Sequence, residues 1–234
     1  MKNSKQQNIL IVLTSHEELG NTGRKTGFWI EEFTTPYYYL IDNGAKATLA
    51  SPKGGQPPVD PTSAQDENQT ESTKRYENDE ALKKQLKSTL KLSEVSVKDY
   101  DAVFYPGGHG PLWDLAESEE SAKLIEDFYK ADKPISFVCH APAALKKVKN
   151  QSGEALVKGK KVTGFTNSEE EAAGLTSVVP FLVENMLKEK GAIYSKVDDF
   201  EAYAIQDGLL ITGQNPASSK KVAELLLKEL HQKN

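Results

Sequence analysis

Short apolar runs alternate with longer amphipathic segments along most of the chain. Asn8 to Thr14 and Ile135 to Val138 are continuous apolar runs, which are typical of strands buried on both faces of a parallel sheet. Apolar residues recur at helical spacing in three segments, Phe28 to Leu40, Ser118 to Ala131 and Ser219 to His231. This alternation of strands and helices predicts a three-layer α/β sandwich with a mostly parallel sheet.

The other apolar segments continue the alternation. We expect further strands at Ala45 to Ala50, at Ala102 to Tyr105 as the third strand, within Gly159 to Gly164, and in a hairpin of Ala202 to Ile205 with Leu209 to Thr212. Leu175 to Lys190 has the pattern of a helix, whereas Phe165 to Glu171 is predicted to be a polar loop. Pro36 lies inside the first predicted helix, where proline removes a backbone donor, so we expect a kink or a break there.

The stretch from Ser51 to Asn78 differs from the rest of the chain, because proline, glycine and polar residues replace the apolar periodicity. Disorder is one interpretation of this composition. A structureless loop of this length is uncommon inside a compact domain unless it is functional. We therefore predict a single domain over residues 1–234, with a cap or lid inserted at about 51–90 that is partly helical from Asp79 to Leu90.

The composition narrows the possible partners and the compartment. A net charge of −5 argues against nucleic acid or an anionic membrane surface as a partner. The single cysteine excludes an internal disulfide and favours a reducing compartment. Lys2 and Lys5 before Ile9 to Leu13 imitate a signal peptide, but this apolar run is too short, and no stretch is long enough to span a bilayer. We expect a soluble, cytoplasmic protein.

The single cysteine, Cys139, lies directly after the apolar run that ends at Val138. Ala141 to Val148 has the pattern of a helix start, with Pro142 in its first turn. A side chain at such a strand-to-helix turn lies at the carboxyl edge of the sheet, where open α/β folds bind ligands. A helix N-terminus there would lower the pKa of the thiol and activate it as a nucleophile. The alternative is an inert buried thiol, which is the commoner role of a lone cysteine.

Histidines at this turn and in a glycine-rich turn provide candidate partners. His140 is the best candidate for a base, and its direct contact with Cys139 requires a sharp turn between the two. His109 lies in the turn Pro106 to Gly110, whose backbone N–H groups could hold an anion, so its backbone is expected to matter more than its ring. No Cys-x-x-Cys or His-x-x-x-His spacing occurs, so we expect no metal site. The other histidines are expected at the surface: His16 and His231.

Two acidic clusters offer carboxyl groups to this chemistry. Glu31 and Glu32 are consecutive on the first predicted helix, so only one can face a given target and the other is expected to face solvent. In the run Glu169 to Glu171, at least two side chains are expected to be solvated. A carboxyl group beside a thiolate in a dry pocket would keep its proton and donate a hydrogen bond to sulfur.

Six sequence blocks together resemble one known family. They are KTGFWIEE (25–32), ASPKGG (50–55), FYPGGHG (104–110), VCHAP (138–142), VTGFT (162–166) and TGQNPAS (212–218). In this order they are similar to the PfpI (DJ-one) superfamily, which has the class I glutamine amidotransferase-like fold. Within it they resemble the branch of heat-shock-type, glutathione-independent glyoxalases, also called glyoxalase III. The resemblance covers nearly the whole chain.

The resemblance implies a flavodoxin-like α/β/α sandwich that usually forms a homodimer. It also implies a catalytic triad, which falls on Cys139, His140 and Glu170. Glu170 is assigned because it lies six residues after Gly164 and four before Gly174, as in the family. The other two acids of the run, by contrast, are expected to contribute little.

The resemblance places three further residues at the reaction. A second acid that contacts the nucleophile falls on Glu32, and Gly108, in the turn with His109, would supply an oxyanion N–H. The implied reaction converts methylglyoxal or a related 2-oxoaldehyde to a 2-hydroxy acid such as lactate. It proceeds through a hemithioacetal on Cys139 and an enediol, and it needs neither a metal nor another cofactor.

Other functions of the superfamily stay open at this point. A stress-response holdase chaperone would bind unfolded protein clients and would not need Cys139. A peptidase-like hydrolase, or a protein or nucleotide deglycase, is another alternative. Glutamine hydrolysis is disfavoured, because the related amidotransferases have a late His-x-Glu and the only late histidine here is His231. A reactive thiol that senses oxidation is a further possibility.

Overall fold

The structure of the protein, a computed structural model, describes residues 6–232. The strands in that range are β1 (Asn8–Val12), β2 (Lys46–Ser51), β3 (Leu90–Lys91), β4 (Ala102–Tyr105), β5 (Ile135–Val138), β6 (Lys161–Val162), β7 (Ile193–Tyr194), β8 (Ala204–Asp207) and β9 (Leu210–Gly213). The α-helices are α1 (Ile30–Asp42), α2 (Glu71–Glu77), α3 (Glu80–Leu86), α4 (Glu119–Lys130), α5 (Asn167–Ala172), α6 (Val183–Glu189) and α7 (Ser219–Gln232). None of these helices is long and apolar enough to cross a membrane.

Seven strands form one central sheet in the order β3-β2-β1-β4-β5-β9-β8. Every pairing in this sheet is parallel except that of β8 with β9, which form the predicted antiparallel hairpin. β6 and β7 pair in parallel in a separate two-stranded sheet. Since β1, β4 and β5 are parallel neighbours, the loops that follow them meet at one edge of the sheet.

The side chains of β1 alternate between the two faces of the sheet, as the period of a strand requires. Leu10 and Val12 belong to a buried cluster with the apolar faces of α4 and α6. Ile9 and Ile11 belong to a second cluster with the apolar faces of α1 and α7. Helices therefore cover both faces of the sheet, and the predicted three-layer α/β/α sandwich is confirmed.

The first half of the chain differs from the sequence prediction in three places. α1 continues through Pro36 to Asp42 without the break that was one of the two expected outcomes, because packing of its buried apolar face outweighs the hydrogen bond that proline removes. β3 pairs with β2, so the predicted third strand is the fourth, β4. Residues 51–90 are largely ordered: two 3-10 turns and α2 precede α3, and a capping box from Thr70 to Thr73 begins α2.

The second half also corrects three predictions. Ala141–Leu145 is a five-residue 3-10 helix with i to i+3 bonds, where we expected an α-helix to start. The expected polar loop from Phe165 to Glu171 contains α5, because Thr166 and Glu169 form a capping box at its start. The helix expected from Leu175 is α6, which begins only at Val183, beyond Pro180 and the turns around it.

Candidate active site

Cys139 occupies a sharp elbow directly after β5. Its φ angle is 61°, in the left-handed region that a residue with a Cβ rarely adopts and that often marks a functional site. The strained backbone is held on both sides, since Cys139 N–H donates to Gly213 O at 3.0 Å and Phe165 N–H donates to Cys139 O at 2.9 Å. The elbow therefore presents the thiol at the carboxyl edge of the sheet.

The elbow brings the thiol of Cys139 against the ring of the next residue. Cys139 Sγ lies 3.2 Å from His140 Nδ1, and His140 Nε2 lies 2.6 Å from Glu170 Oε2. All three side chains are buried. The structure thus places the three residues implied by the family resemblance in one hydrogen-bonded chain.

The ionisation of this chain follows from its surroundings. Burial opposes the charge on Glu170, but the two histidines that contact it outweigh burial and hold the pKa of its carboxyl well below the usual range. Burial, and next the proximity of His109, lower the pKa of His140, so its ring is neutral near pH 7. An ionised carboxylate only accepts hydrogen bonds, so His140 Nε2–H donates to Glu170 and Nδ1 is free to accept the thiol proton.

Glu169 contradicts the expectation that both neighbours of Glu170 are solvated. Glu171 is exposed, but Glu169 is fully buried. Its carboxylate accepts hydrogen bonds from four donors: Thr166 N, Phe200 N, Gln214 Nε2 and Asn215 Nδ2. Glu169 therefore ties α5, which carries Glu170, to two later loops. A Thr-x-x-Glu capping signal at 166–169 was the sequence feature that could have predicted the helix.

The ring of His109, and not only its backbone, belongs to the site. His109 Nε2 lies 2.6 Å from Glu170 Oε1, and the ring centroids of His109 and His140 are 3.9 Å apart. The sequence expectation underrated this ring, because His109 and Glu170 are 61 residues apart and no local pattern connects them.

The glycine turn after β4 packs backbone to backbone against the segment before α1. A Cβ on Gly108 (φ 87°) would lie 2.2 Å from Gly27 O, and a Cβ on Gly27 would lie 2.1 Å from Pro58 O. Phe28 N–H donates to Pro58 O, and Asp60 N–H donates to Phe28 O, both at 2.9 Å. Only glycine fits at these close approaches. Gly108, the expected oxyanion donor, lines the cavity beside Cys139.

Glu32 reaches the sulfur from the first turn of α1. It is fully buried, and Gly107 N–H donates to its Oε2 at 2.7 Å, whereas Oε1 has no hydrogen-bond partner among residues 6–232. Burial raises the pKa of Glu32 well above its usual range, although its interactions with Cys139 and Gly107 oppose the shift. Glu32 is therefore a protonated carboxyl group beside the nucleophile.

The thiol itself differs from the sequence expectation. Burial, followed by the charge of Glu32, raises the pKa of Cys139, where we expected a helix N-terminus to lower it. The 3-10 segment after the elbow is too short to supply that helix, and carboxyl groups surround the sulfur instead. When Glu32 is protonated, its charge no longer raises the pKa of Cys139, but burial still does. Activation of Cys139 therefore depends on transfer of its proton to His140.

A cavity of about 390 Å³ opens beside the sulfur. The larger apolar side chains in its walls are Leu19, Trp29, Phe165, Leu175, Phe200 and Pro216. Asp60, Thr62 and Asn68, all from the segment predicted as a cap, also line it. Glu31 lines the same cavity, so it does not simply face solvent as expected, and burial raises its pKa to about 7.

Three side chains that commonly bind metals meet in this site. The candidate ligand atoms of His109, His140 and Glu170 lie within 4.8 Å of one another. The sequence expectation of no metal site used motif spacing, and that ground fails because the fold assembles the three residues from separate segments. In the structure the two rings instead contact the Glu170 carboxylate at 2.6 Å each.

A thiol, an imidazole and a carboxylate are thus joined at the carboxyl edge of a parallel sheet, an arrangement that is typical of cysteine-dependent enzymes of the α/β sandwich class. The chain belongs to the DJ-1/PfpI family, whose sequence profile matches residues 25–229. It is 30% identical over 224 residues to Glyoxalase 3 of Candida albicans. The alignment covers 92% of this chain and 95% of that protein. It is also 30% identical to Glutathione-independent glyoxalase HSP31 of Saccharomyces cerevisiae, in an alignment that covers 92% of this chain and 94% of that protein. The X-ray structure of Rapid Encystment Protein 24 kDa of Francisella tularensis superposes on this structure with a TM-score of 0.91 at 38% identity. The superposition covers 96% of this chain and 99% of that chain.

Proposed function

We propose that the protein is a cofactor-independent glyoxalase, which converts methylglyoxal or a related 2-oxoaldehyde to a 2-hydroxy acid. The observation that carries the proposal is the hydrogen-bonded chain from Cys139 through His140 to Glu170 beside the cavity. This arrangement suits nucleophilic attack by sulfur followed by proton transfer between neighbouring carbons. Two relatives that align with most of the chain carry the name glyoxalase, and one of them is named glutathione-independent.

The reaction begins with the proton of the thiol. His140 Nδ1, 3.2 Å from Sγ, takes this proton, and the Cys139 thiolate adds to the aldehyde carbon. The proton passes to the former aldehyde oxygen and gives a hemithioacetal. His140, neutral again, removes the hydrogen of that carbon to form an enediol and returns the proton to the neighbouring carbon. A thioester of the 2-hydroxy acid then remains on sulfur, and water releases it.

Two further groups assist the charges that develop at the substrate. Gly108 lines the cavity beside the sulfur, which supports a role for its N–H as donor to the oxygen that becomes negative when sulfur adds. Glu32 Oε1, which has no hydrogen-bond partner among residues 6–232, is the oxygen that can donate to the thiolate when the carboxyl is protonated, without adding a second negative charge. Removal of a single donor of this kind typically costs about 10²–10³ in turnover.

The direct test supplies methylglyoxal without glutathione to the purified protein and follows loss of the dicarbonyl and formation of lactate. Wild-type protein should form lactate, and Cys139→Ala should form none. Lactate formation that requires added glutathione, or that persists in Cys139→Ala, would refute the proposal.

The proposal includes a cap, a dimer and a compartment. Asp60, Thr62 and Asn68 contribute to the cavity wall, which supports a cap role for part of the segment 51–90. A homodimer is proposed from the family resemblance and is measured by light scattering after gel filtration. The single cysteine supports the reducing cytoplasm as the compartment.

A holdase chaperone is the second candidate function, because one short stretch exposes three apolar side chains. Ile193, Val197 and Phe200 are 55%, 39% and 52% exposed. Exposed apolar groups of this kind suit binding of unfolded protein clients. Cys139→Ala should then suppress aggregation of a heated client protein as well as the wild type, whereas Ile193→Ser with Val197→Ser should not. Equal suppression by all three proteins would exclude this surface.

A further inference from the structure

The site contains a second imidazole that the mechanism above does not use. His109 Nε2 contacts Oε1 of Glu170, and His140 Nε2 contacts Oε2, each at 2.6 Å. The two rings lie 3.9 Å apart, and both line the cavity. One carboxylate therefore orients two histidines toward the same space.

The shared carboxylate determines which nitrogen of each ring carries the proton. Glu170 is ionised and can only accept, so each Nε2 donates its N–H and each Nδ1 is bare in the neutral ring. His140 Nδ1 is engaged by the Cys139 sulfur at 3.2 Å. His109 Nδ1 has no hydrogen-bond partner among residues 6–232, which leaves it available to a molecule in the cavity.

The second half of the reaction requires such a base. Hydrolysis of the thioester needs a group that takes a proton from the attacking water, while the sulfur departs from the acyl carbon. His140 Nδ1 lies against the sulfur at 3.2 Å, so it is not open to a water in the cavity. A water that attacks the acyl carbon from the cavity therefore needs a different acceptor.

We propose that His109 is the base that activates the hydrolytic water. The inference rests on the proposed glyoxalase function. The water oxygen bonds to the thioester carbon, and its proton goes to His109 Nδ1. The C–S bond breaks with its electron pair on Cys139, His109 passes its proton to solvent, and the thiolate takes up a proton from solvent to restore the thiol. The whole reaction consumes methylglyoxal and water and yields lactate and one proton, so no oxidant or reductant is required.

The closeness of the rings also orders the two halves of the reaction. Two imidazolium ions with centroids 3.9 Å apart would repel each other in a buried site, so His109 accepts a proton only while His140 is neutral. Proton transfer at His140 must therefore finish before hydrolysis begins. Each half of the reaction has its own histidine, and both use one carboxylate.

The test is a rapid-quench experiment with His109→Gln, because glutamine can still donate to Glu170 but cannot take a proton. Methylglyoxal loss should show a burst of about one equivalent per active site, followed by turnover at least about 10²-fold slower than in the wild type. The adduct that accumulates should be a thioester, which survives gel filtration and reacts with hydroxylamine to a hydroxamate. Hydroxylamine also condenses with free methylglyoxal, so it is added only after gel filtration has removed the substrate; it should then release the acyl group and free Cys139 for a second burst.

His140→Gln is the matched control and should show no burst, because the thiol is then not activated. His109→Asn serves as a second variant, and each variant must melt as the wild type does. Unchanged turnover in both His109 variants, or loss of the burst together with steady turnover, would overturn the inference. A wild-type protein that forms no lactate would instead refute the proposed function, so the two failures are distinguishable.

Discussion

Glu169→Ala should destabilise the fold strongly, although Glu169 takes no part in the proposed chemistry. Its buried carboxylate accepts hydrogen bonds from two backbone N–H groups, those of Thr166 and Phe200, and from two side-chain amides, Gln214 and Asn215. The amides retain other carbonyl acceptors, but the two backbone groups have no other acceptor among residues 6–232. At about 3 kcal/mol for the buried Thr166 N–H and about 1 kcal/mol for the part-buried Phe200 N–H, the loss is about 4 kcal/mol.

Thermal unfolding followed by circular dichroism measures this loss. For a chain of this length about 4 kcal/mol corresponds to a fall of roughly 8–16 °C in the melting temperature. Glu171→Ala is the matched control, since it removes the same side chain from an exposed position two residues away and should melt as the wild type does. Similar melting temperatures for the two variants would refute the hydrogen-bonding role given to Glu169.

Further changes probe the sulfur and the cavity. Cys139→Ala should abolish lactate formation with an unchanged circular dichroism spectrum. Burial raises the pKa of Glu31 from 4.5 to about 7, so wild-type stability falls as the pH rises through this range. Urea titrations should therefore find Glu31→Gln more stable by about 1–2 kcal/mol above pH 7, after allowance for partial exposure, and equal at pH 4. Glu32→Ala should change the pH dependence of Cys139 alkylation by iodoacetamide more than Glu32→Gln does; identical titrations would mean no contact with sulfur. Phe200→Ala should lower kcat/KM for phenylglyoxal more than for methylglyoxal, because this ring lines a cavity large enough for an aryl substituent.

The sheet and its carboxyl edge were predictable because strand periodicity and continuous apolar runs are local signals. The runs that end at Leu13 and Val138 marked two central strands, and Asp207-Gly208 marked the hairpin. Positions of Cys139 and the glycine turn followed from the ends of these runs. The continuation of α1 through Pro36 was not predictable from the local pattern, since tertiary packing outweighs a local breaking signal.

The partners of the nucleophile were less predictable, because side chains distant in sequence meet only in the folded chain. Composition and periodicity could not choose among Glu169, Glu170 and Glu171; the family spacing chose Glu170. Burial of Glu169 was missed because a run of acids suggests solvent, whereas four donors from separate loops converge on it. The ring of His109 had no signal within its own segment.

The backbone contacts of Gly27 have a mechanical consequence for the cap. Pro58 O lies against Gly27, and Gly27 O lies against Gly108, so three chain segments are stacked with no side chain between them. The bonds between Phe28 and the pair Pro58 and Asp60 fasten this stack. A displacement at 58–60 would therefore shift the turn that faces the substrate oxygen. These contacts fix the beginning of the proposed cap, so a hinge for its opening would have to lie beyond Asp60.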